Sequence, residues 1–225
     1  MSRFLSKKLP KTITYVLGEI LIVVLGIFIA VNLNNWNENR KEKQEVNKVL
    51  KAVYNDLQTE KYIMVMWKNH LNHSIDYLTQ VTTKEAIHLD SLSIYLDSEF
   101  YHAKMNSAYI NLKSGGNLNT ISSDTIRGAL TGWYEAGYDS FDAFSKSHKA
   151  FIYNNVRPYI LSEFLIDKNN LADTVIVRQK LKDNMLLNLI NSQISANQKI
   201  NNQLLDTLNI STVIKYVKKE LNKFN

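Results

Sequence analysis

The chain has 225 residues, enough for one membrane segment and one domain with a real core, but too few for two full globular domains. It contains no cysteine, which excludes disulfides, thiolate nucleophiles and cysteine-ligated zinc. Seven glycines and two prolines are few for this length, and such a composition favours long helices over a turn-rich β fold. We therefore predict an all-α fold, in which one N-terminal transmembrane helix precedes an antiparallel helical bundle with a long first helix.

The net charge of +6 is concentrated near the N-terminus. The first 33 residues hold four of the 27 basic side chains and one of the 21 acidic ones, so the rest of the chain carries 23 against 20, or +3. A domain that close to neutrality has little electrostatic attraction for a phosphate backbone. We expect no nucleic-acid partner.

An apolar run of 21 residues, Ile13 to Leu33, follows the basic start of the chain. As a helix it is roughly 30 Å long, the thickness of a bilayer's hydrocarbon core. It is apolar on every face, unlike an amphipathic surface helix. A cleaved signal peptide has the same order of basic and apolar segments, but no small-x-small cleavage pattern follows here. We predict a tail (1–12), a transmembrane helix (13–35) that contacts the lipid bilayer, and a soluble helical domain (36–225).

Five residues in and around this run are candidates for specific contacts. Tyr15 and Trp36 lie near its two ends, where aromatic side chains anchor a helix among lipid headgroups. Glu19 lies inside the run, where a carboxylate is costly and usually pairs, protonates or faces another helix. Gly18 and Gly26 are eight residues apart, on nearly the same face, and permit close helix approach. Either these features are incidental, or they contact a second copy or another membrane protein.

Orientation is predicted from the basic residues that flank the run. Four precede it, and Arg40, Lys41, Lys43, Lys48 and Lys51 follow it, so the positive-inside rule gives a near tie. A short basic tail ahead of the first span usually stays in the cytoplasm. We therefore expect a bacterial inner-membrane protein with a cytoplasmic N-terminus and a periplasmic domain.

The segment from Tyr15 to Glu38 carries two unusual motifs, Gly18-Glu19-Ile20 and Asn34-Asn35-Trp36-Asn37. It resembles the N-terminal signature of an uncharacterised family of Bacteroidota membrane proteins, domain-of-unknown-function family 6090. The stretch from Ser107 to Ile121, followed by Arg127 and Tyr134, resembles that family's central segment. The resemblance implies a single-span inner-membrane protein of unknown activity, and it supplies no catalytic residue.

Apolar residues after Trp36 recur at steps of three, four and seven, which predicts one long amphipathic helix to about Gln80. Short helical pieces follow near 90–100 and 107–113, the second ended by Gly115-Gly116 as a left-handed cap. A second long helix is predicted to start at Ser123 or Asp124, and Pro158 is expected to bend or end it. Leu181 to Leu208 marks a third helix and Ile210 to Leu221 a fourth. Short polar links between them favour a bundle.

The search for chemistry yields weak signals. His70 and His73 are spaced to share a helix face, but a third metal ligand is missing, so we predict packed or solvated histidines. An aromatic group is better explained by core packing than by a ligand pocket: Trp133, Tyr134, Tyr138, Phe141 and Phe144. A basic C-terminal face is expected to be solvated: Lys215, Lys218, Lys219 and Lys223.

We therefore predict no catalytic, cofactor-binding or metal site. The leading hypothesis is a membrane-anchored, non-enzymatic helical domain that acts in the cell envelope by binding, sensing or scaffolding. The alternative is a periplasmic ligand-binding or enzymatic domain whose scattered polar residues converge in the fold. A buried polar cluster beside a large pocket would favour that alternative.

Overall fold

A computed structural model describes residues 11–83, 88–202 and 209–224, with side chains from Tyr15 onward. The helices are α1 (Lys11–Thr83), α2 (Leu92–Leu96), α3 (Ser107–Ser114), α4 (Asp124–Thr131), α5 (Tyr138–Phe151), α6 (Arg157–Glu163), α7 (Thr174–Lys180), α8 (Asn184–Asn202) and α9 (Ile210–Leu221). Two π-helical segments, Gly132–Gly137 and Ile152–Val156, join α4, α5 and α6. In these ranges the β structure is one isolated bridge, between Ile166 and Ala172. The predicted all-α class is confirmed, and the helices form a bundle.

α1 is the organising element of the fold. Its 73 residues make it roughly 110 Å long at 1.5 Å per residue. The predicted membrane segment and the predicted long amphipathic helix are therefore one continuous helix. From Tyr15 to Glu45 no side chain is buried, and Val46 is the first that is. The N-terminal part of α1 is thus exposed on all sides, and from Val46 onward one face of the helix is buried in the domain.

Two clusters of buried apolar side chains make up the core. The near core, which adjoins the exposed section of α1, includes Val46, Leu50, Leu57, Leu112, Leu130, Trp133 and Val217. The far core lies toward the other end of α1 and includes Leu78, Val81, Leu92, Ile152, Val177, Leu186 and Ile190. α3, α4 and α9 pack in the near core, and α2, α6 and α7 pack in the far core.

Several helix ends follow local sequence signals. Ser123, one of the two predicted N-caps, is extended and directly precedes α4, but within the described residues its side chain makes no capping hydrogen bond. Gly116 follows α3 with φ +74°, the left-handed conformation that the Gly115-Gly116 pair predicts. Asp173 caps α7 by accepting hydrogen bonds from the N–H groups of Val175 and Ile176. These caps set the lengths of the short helices around the core.

Of the two outcomes predicted at Pro158, a bend or an end, the helix does not end there. The chain stays helical to Glu163, and the π-helical segment Ile152–Val156 directly precedes the proline. Proline lacks an N–H and clashes with a carbonyl one turn back in a regular α-helix. The wider π turn changes the hydrogen-bond register at that point and lets the helix continue.

The predicted third helix, Leu181 to Leu208, corresponds to α8, which begins at Asn184. The shorter α7 ends at Lys180, before the predicted range, and was not predicted. The side chain of Asp183 accepts a hydrogen bond from the N–H of Met185, at 2.9 Å, and so starts a new helix. Of the residues that marked the predicted helix, Leu204 and Leu208 lie outside the described residues. The predicted fourth helix, α9, is confirmed.

Candidate functional site

The exposed section of α1 has an apolar surface. Every large apolar side chain from Tyr15 to Leu33 is exposed to solvent. By length and composition alone, α1 is long and apolar enough to cross a membrane. Tyr15 and Trp36, the predicted interface anchors, are 75% and 63% exposed at the two ends of this section.

Gly18, Glu19 and Gly26 lie on the open surface of this section. A Cβ atom added to Gly18 or Gly26 would meet nothing within 4 Å, so each glycine leaves room for a neighbouring helix. Eight residues turn an α-helix by two turns and about 80°, which places the two glycines on adjacent faces. Glu19 and Gly26, seven residues apart, line up within about 20°. The face best formed for contact therefore combines Glu19 with Gly26.

A polar stalk, residues 34–45, connects the apolar section to the core. Its side chains mostly contact each other along the helix: the Asn34 amide donates to Glu38 Oε1 at 3.0 Å, and the Arg40 guanidinium lies 5.5 Å from the Trp36 ring centroid. One contact reaches the domain, because the Thr120 hydroxyl donates to Glu42 Oε1 at 2.6 Å. This bond joins the loop before α4 to the stalk.

A buried carboxylate lies at the centre of the near core. Glu60 of α1 is 1% exposed and accepts three hydrogen bonds. His102 Nε2 donates to Oε1 at 2.9 Å, while Trp133 Nε1 and the Tyr138 hydroxyl donate to Oε2 at 3.1 and 2.9 Å. Burying a carboxylate is costly unless it is well paired, and three converging donors meet that need. They tie α1 to the loop before α3, to the first π-helical segment and to the start of α5.

Aromatic rings enclose this cluster. The His102 ring stacks on Phe141 at a centroid distance of 4.5 Å, and Tyr134 stacks on Tyr109 at 4.4 Å. Burial, reinforced by the charge of Glu60, holds the pKa of Tyr138 far above its ordinary value, so this hydroxyl stays protonated and acts as a donor. Among the described residues, His102 Nδ1 and the Tyr134 hydroxyl are buried without a hydrogen-bond partner. These two polar atoms can therefore form further hydrogen bonds.

A second buried histidine links α5, α8 and the loop after α2. The Phe100 N–H donates to His148 Nδ1 at 3.1 Å, so the ring proton lies on Nε2, which donates to Gln193 Oε1 at 3.0 Å. The Gln193 amide in turn donates to the Ser98 carbonyl at 3.0 Å. Burial lowers the pKa of His148, so the ring is neutral. This contact is structural, because every polar atom in it is used.

A surface groove of about 400 Å³ runs along α1, lined by Ile63, Met66, Trp67 and His70. Trp67 packs edge-on against Phe100 at 5.1 Å. His70 Nε2 lies 2.8 Å from the Ser98 hydroxyl oxygen, and burial lowers the pKa of His70, with the nearby His73 adding to the shift. A mainly apolar groove with one polar group is the usual form of a small-ligand site.

The other residues that the sequence analysis singled out lie in different environments, some in the core and some on the surface. Trp133, Tyr134, Tyr138 and Phe141 are buried in the near core, as core packing predicts, whereas Phe144 is half-buried under Lys199, whose ammonium is 5.2 Å from the ring. His73 contacts the Tyr95 ring edge-on at 5.5 Å. The four C-terminal lysines are exposed on α9 and the segment after it. Within the described ranges, no cluster of three or more His, Asp or Glu residues is arranged to hold a metal ion.

Comparison with known proteins identifies the family. The sequence pattern of DUF6090, described as a family of unknown function, matches residues 19–142, more than half of the chain. The chain belongs to the DUF6090 family. The DUF6090 segment contains Glu60, His102, Trp133 and Tyr138, whereas His148 and Gln193 lie beyond it. No curated protein and no solved structure matches the chain.

Sequence reasoning missed Glu60 and its donors. One signal was present, since Glu60 lies three residues after Leu57 and four before Met64, on the apolar stripe of α1. A carboxylate on a buried stripe requires partners. Those partners come from positions 42 to 78 residues away, and no periodicity identifies them.

Proposed function

We propose that this protein is a single-pass protein of the bacterial inner membrane whose helical domain acts by binding, as a sensor, a scaffold or a contact for another envelope protein. One observation carries the proposal: a helix with an exposed apolar surface from Tyr15 to Leu33 continues without a break into the core at Val46. Each large apolar side chain left in water forfeits roughly 1.5–3 kcal/mol, so the whole section forfeits tens of kcal/mol. A bilayer removes that cost.

The proposed domain is an antiparallel bundle held on α1. Two hydrogen bonds support this for α8: Asn197 donates to Ser74 at 3.0 Å, and Asn201 donates to Asn72 at 2.7 Å. As the residue number rises along α8 it falls along α1, so the two helices run in opposite directions. We place the N-terminus in the cytoplasm and the domain in the periplasm, because a short basic tail precedes the apolar section.

The continuous helix suits a sensing or coupling role. A shift of the domain displaces the rigid α1, and therefore also the face that carries Glu19 and Gly26. The signal would then pass through that face to a second helix in the membrane. We infer that this face, with Gly18 at its side, contacts a membrane partner.

Membrane insertion is tested with a paired charge substitution. The variant Val23→Lys and Val24→Lys places two charges at the centre of the apolar section. Each charge raises the free energy of membrane insertion by about 2.5–3.5 kcal/mol. We expect it to lose carbonate-resistant association with membranes. The matched control, Asn35→Lys and Asn37→Lys, adds the same charge to the stalk and should remain in the membrane pellet. Equal behaviour of the two variants would contradict the proposal.

Orientation is tested by protease digestion of a C-terminal tag in cells whose outer membrane is permeabilised. Digestion supports a periplasmic domain, and protection places the domain in the cytoplasm. A cytoplasmic marker protein has to remain intact in the same sample.

A second function, ligand binding by the domain, is favoured by the groove beside Trp67 and His70. The groove lies one to three turns beyond the buried Glu60 cluster on α1. A small-molecule screen by thermal shift tests it: a ligand whose stabilisation is lost in Trp67→Ala and kept in the exposed-surface variant Val175→Ala supports the groove as its site.

A further inference from the structure

The domain section of α1 has an exposed surface without charge. Between Lys51 and Asp76 its exposed residues are Ala52, Asn55, Gln58, Thr59, Tyr62, Val65, Met66, Asn69, His70, Asn72 and His73. None of these is Asp, Glu, Lys or Arg, although 21% of the chain is charged. Three charged residues, Asp56, Lys61 and Lys68, are half-buried at its two edges. We name these eleven residues the uncharged face.

The composition of this face is that of an interface. Tyr62, Val65 and Met66 are 66%, 41% and 55% exposed, and the groove lined by Trp67 and His70 runs along one edge. Interface centres are depleted of charged residues and enriched in aromatic residues and methionine. α9 also packs in the near core, but its exposed surface is charged, since it carries Lys215, Lys218 and Lys219.

We propose that the uncharged face binds a second copy of this chain in a parallel, two-fold symmetric dimer. In such a dimer each residue lies near its own equivalent, so any charged residue at the centre would meet a like charge. A face without charge avoids that repulsion. The inference rests on the proposed membrane anchoring, which gives all copies the same direction and the same height.

The size of the face explains why the anchor matters. From Ala52 to His73 it is roughly 33 Å long and about 10 Å wide, or on the order of 650 Å² for both copies together. Stable interfaces between soluble proteins bury about 1,200–2,000 Å². Tethering raises the effective concentration to the millimolar range, where a smaller interface is sufficient. The uncharged face also lies on the same side of α1 as the proposed contact face in the membrane. Gly26 lies 36 residues, or ten full turns, before Tyr62, so the two residues point in the same direction.

The test uses the absence of native cysteine. In the full chain in membranes, Tyr62→Cys is expected to form an oxidative cross-link at twice the monomer mass. Ile110→Cys is the control, because Ile110 is a 51% exposed apolar residue on α3, which also packs in the near core. Equal cross-linking of both variants, or no cross-link at Tyr62→Cys, would overturn the proposal. So would a cross-link at Tyr62→Cys to a different protein in place of the dimer.

A charge exchange tests self-association directly. Met66→Glu and Met66→Lys, each added to Tyr62→Cys, should lower the cross-link at least tenfold, because like charges then meet at the centre. Co-expression of the two variants should restore it, because opposite charges then meet. Failure to restore it would overturn the dimer. The membrane pellet of each sample separates the two proposals: a monomer in the pellet contradicts only the dimer, and loss from the pellet contradicts the anchoring.

Discussion

The two ends of α1 show how one backbone can serve two environments. From Tyr15 to Leu33 its apolar side chains point in all directions and are exposed, whereas from Val46 to Val81 most of them follow one stripe that other helices bury. The backbone hydrogen bonds of a helix are internal, so they are equally satisfied in lipid and in water. The difference between the two sections therefore lies in side-chain periodicity, and each section should respond to mutation in its own way.

The largest effect is expected at Glu60, where the domain section depends on a buried charge. Glu60→Ala leaves His102, Trp133 and Tyr138 with buried donors that lack an acceptor, and it should lower the free energy of unfolding by about 3–5 kcal/mol. Chemical denaturation of the full chain in detergent measures this. Gln58→Ala, two residues away and exposed, should change stability by less than about 0.5 kcal/mol. Similar losses in both variants would show that the cluster is not a centre of stability.

A matched pair of leucines separates the two sections of α1. Leu57 is fully buried in the near core, and Leu57→Ala should cost about 2–5 kcal/mol in denaturation experiments through lost burial and a cavity. Leu25 is exposed in the apolar section, and Leu25→Ala should leave the unfolding of the domain unchanged. If Leu25→Ala destabilised the domain as much, the apolar section would have to pack on the domain.

The glycine after α3 gives a smaller, backbone effect. Gly116 has φ +74°, and the left-handed conformation costs a residue with a Cβ about 1–2 kcal/mol. Gly116→Ala should lower the denaturation midpoint accordingly. Gly128 lies inside α4 with open space around it, so Gly128→Ala should raise stability by up to about 1 kcal/mol. Opposite signs for the two variants are the expected result.

The smallest effect is expected from pH. Burial lowers the pKa of His148 in the folded state, whereas in the unfolded chain this pKa is about 6.5. As the pH falls below about 6.5, the unfolded chain therefore takes up the proton before the folded chain does. Stability is then fully present above pH 6.5 and falls as the pH drops toward the folded pKa. The pKa of His70 is lowered as well, so a pH profile of the wild type alone cannot isolate His148. The comparison is therefore between the wild type and His148→Gln. The variant should lose stability less steeply between pH 7 and 5, and an identical slope would show that His148 does not contribute.

Periodicity predicted the parts of the fold that depend on one segment alone. The apolar run, the stripe on α1, the start of α4 after Ser123 and the left-handed Gly116 are local patterns, and each appears in the structure. α7 was missed because its seven residues are too few to show a clear apolar period. At Pro158 the helix does not end, since a π turn directly before the proline accommodates its missing donor.

The candidate sites depend on tertiary structure and were predicted less well. The donors to Glu60 come from a loop, from the first π-helical segment and from the start of α5, and no spacing in the sequence encodes their approach to α1. The uncharged face of α1 was also missed, because it becomes visible only when buried and exposed positions are known. The apolar section of α1 was predicted best as a helix, since its signal is composition within a single segment.

The most direct test of the account is the accessibility of thiols along α1 in native membranes, with both membrane faces exposed to a membrane-impermeant maleimide. Single-cysteine variants at Val24 and Leu25 report on the apolar section, and Asn35 and Gln44 report on the stalk. The account predicts rapid labelling of the two stalk positions and protection of Val24→Cys and Leu25→Cys until detergent is added. Labelling of the apolar positions at the rate of the stalk positions would show that this section of α1 lies in water.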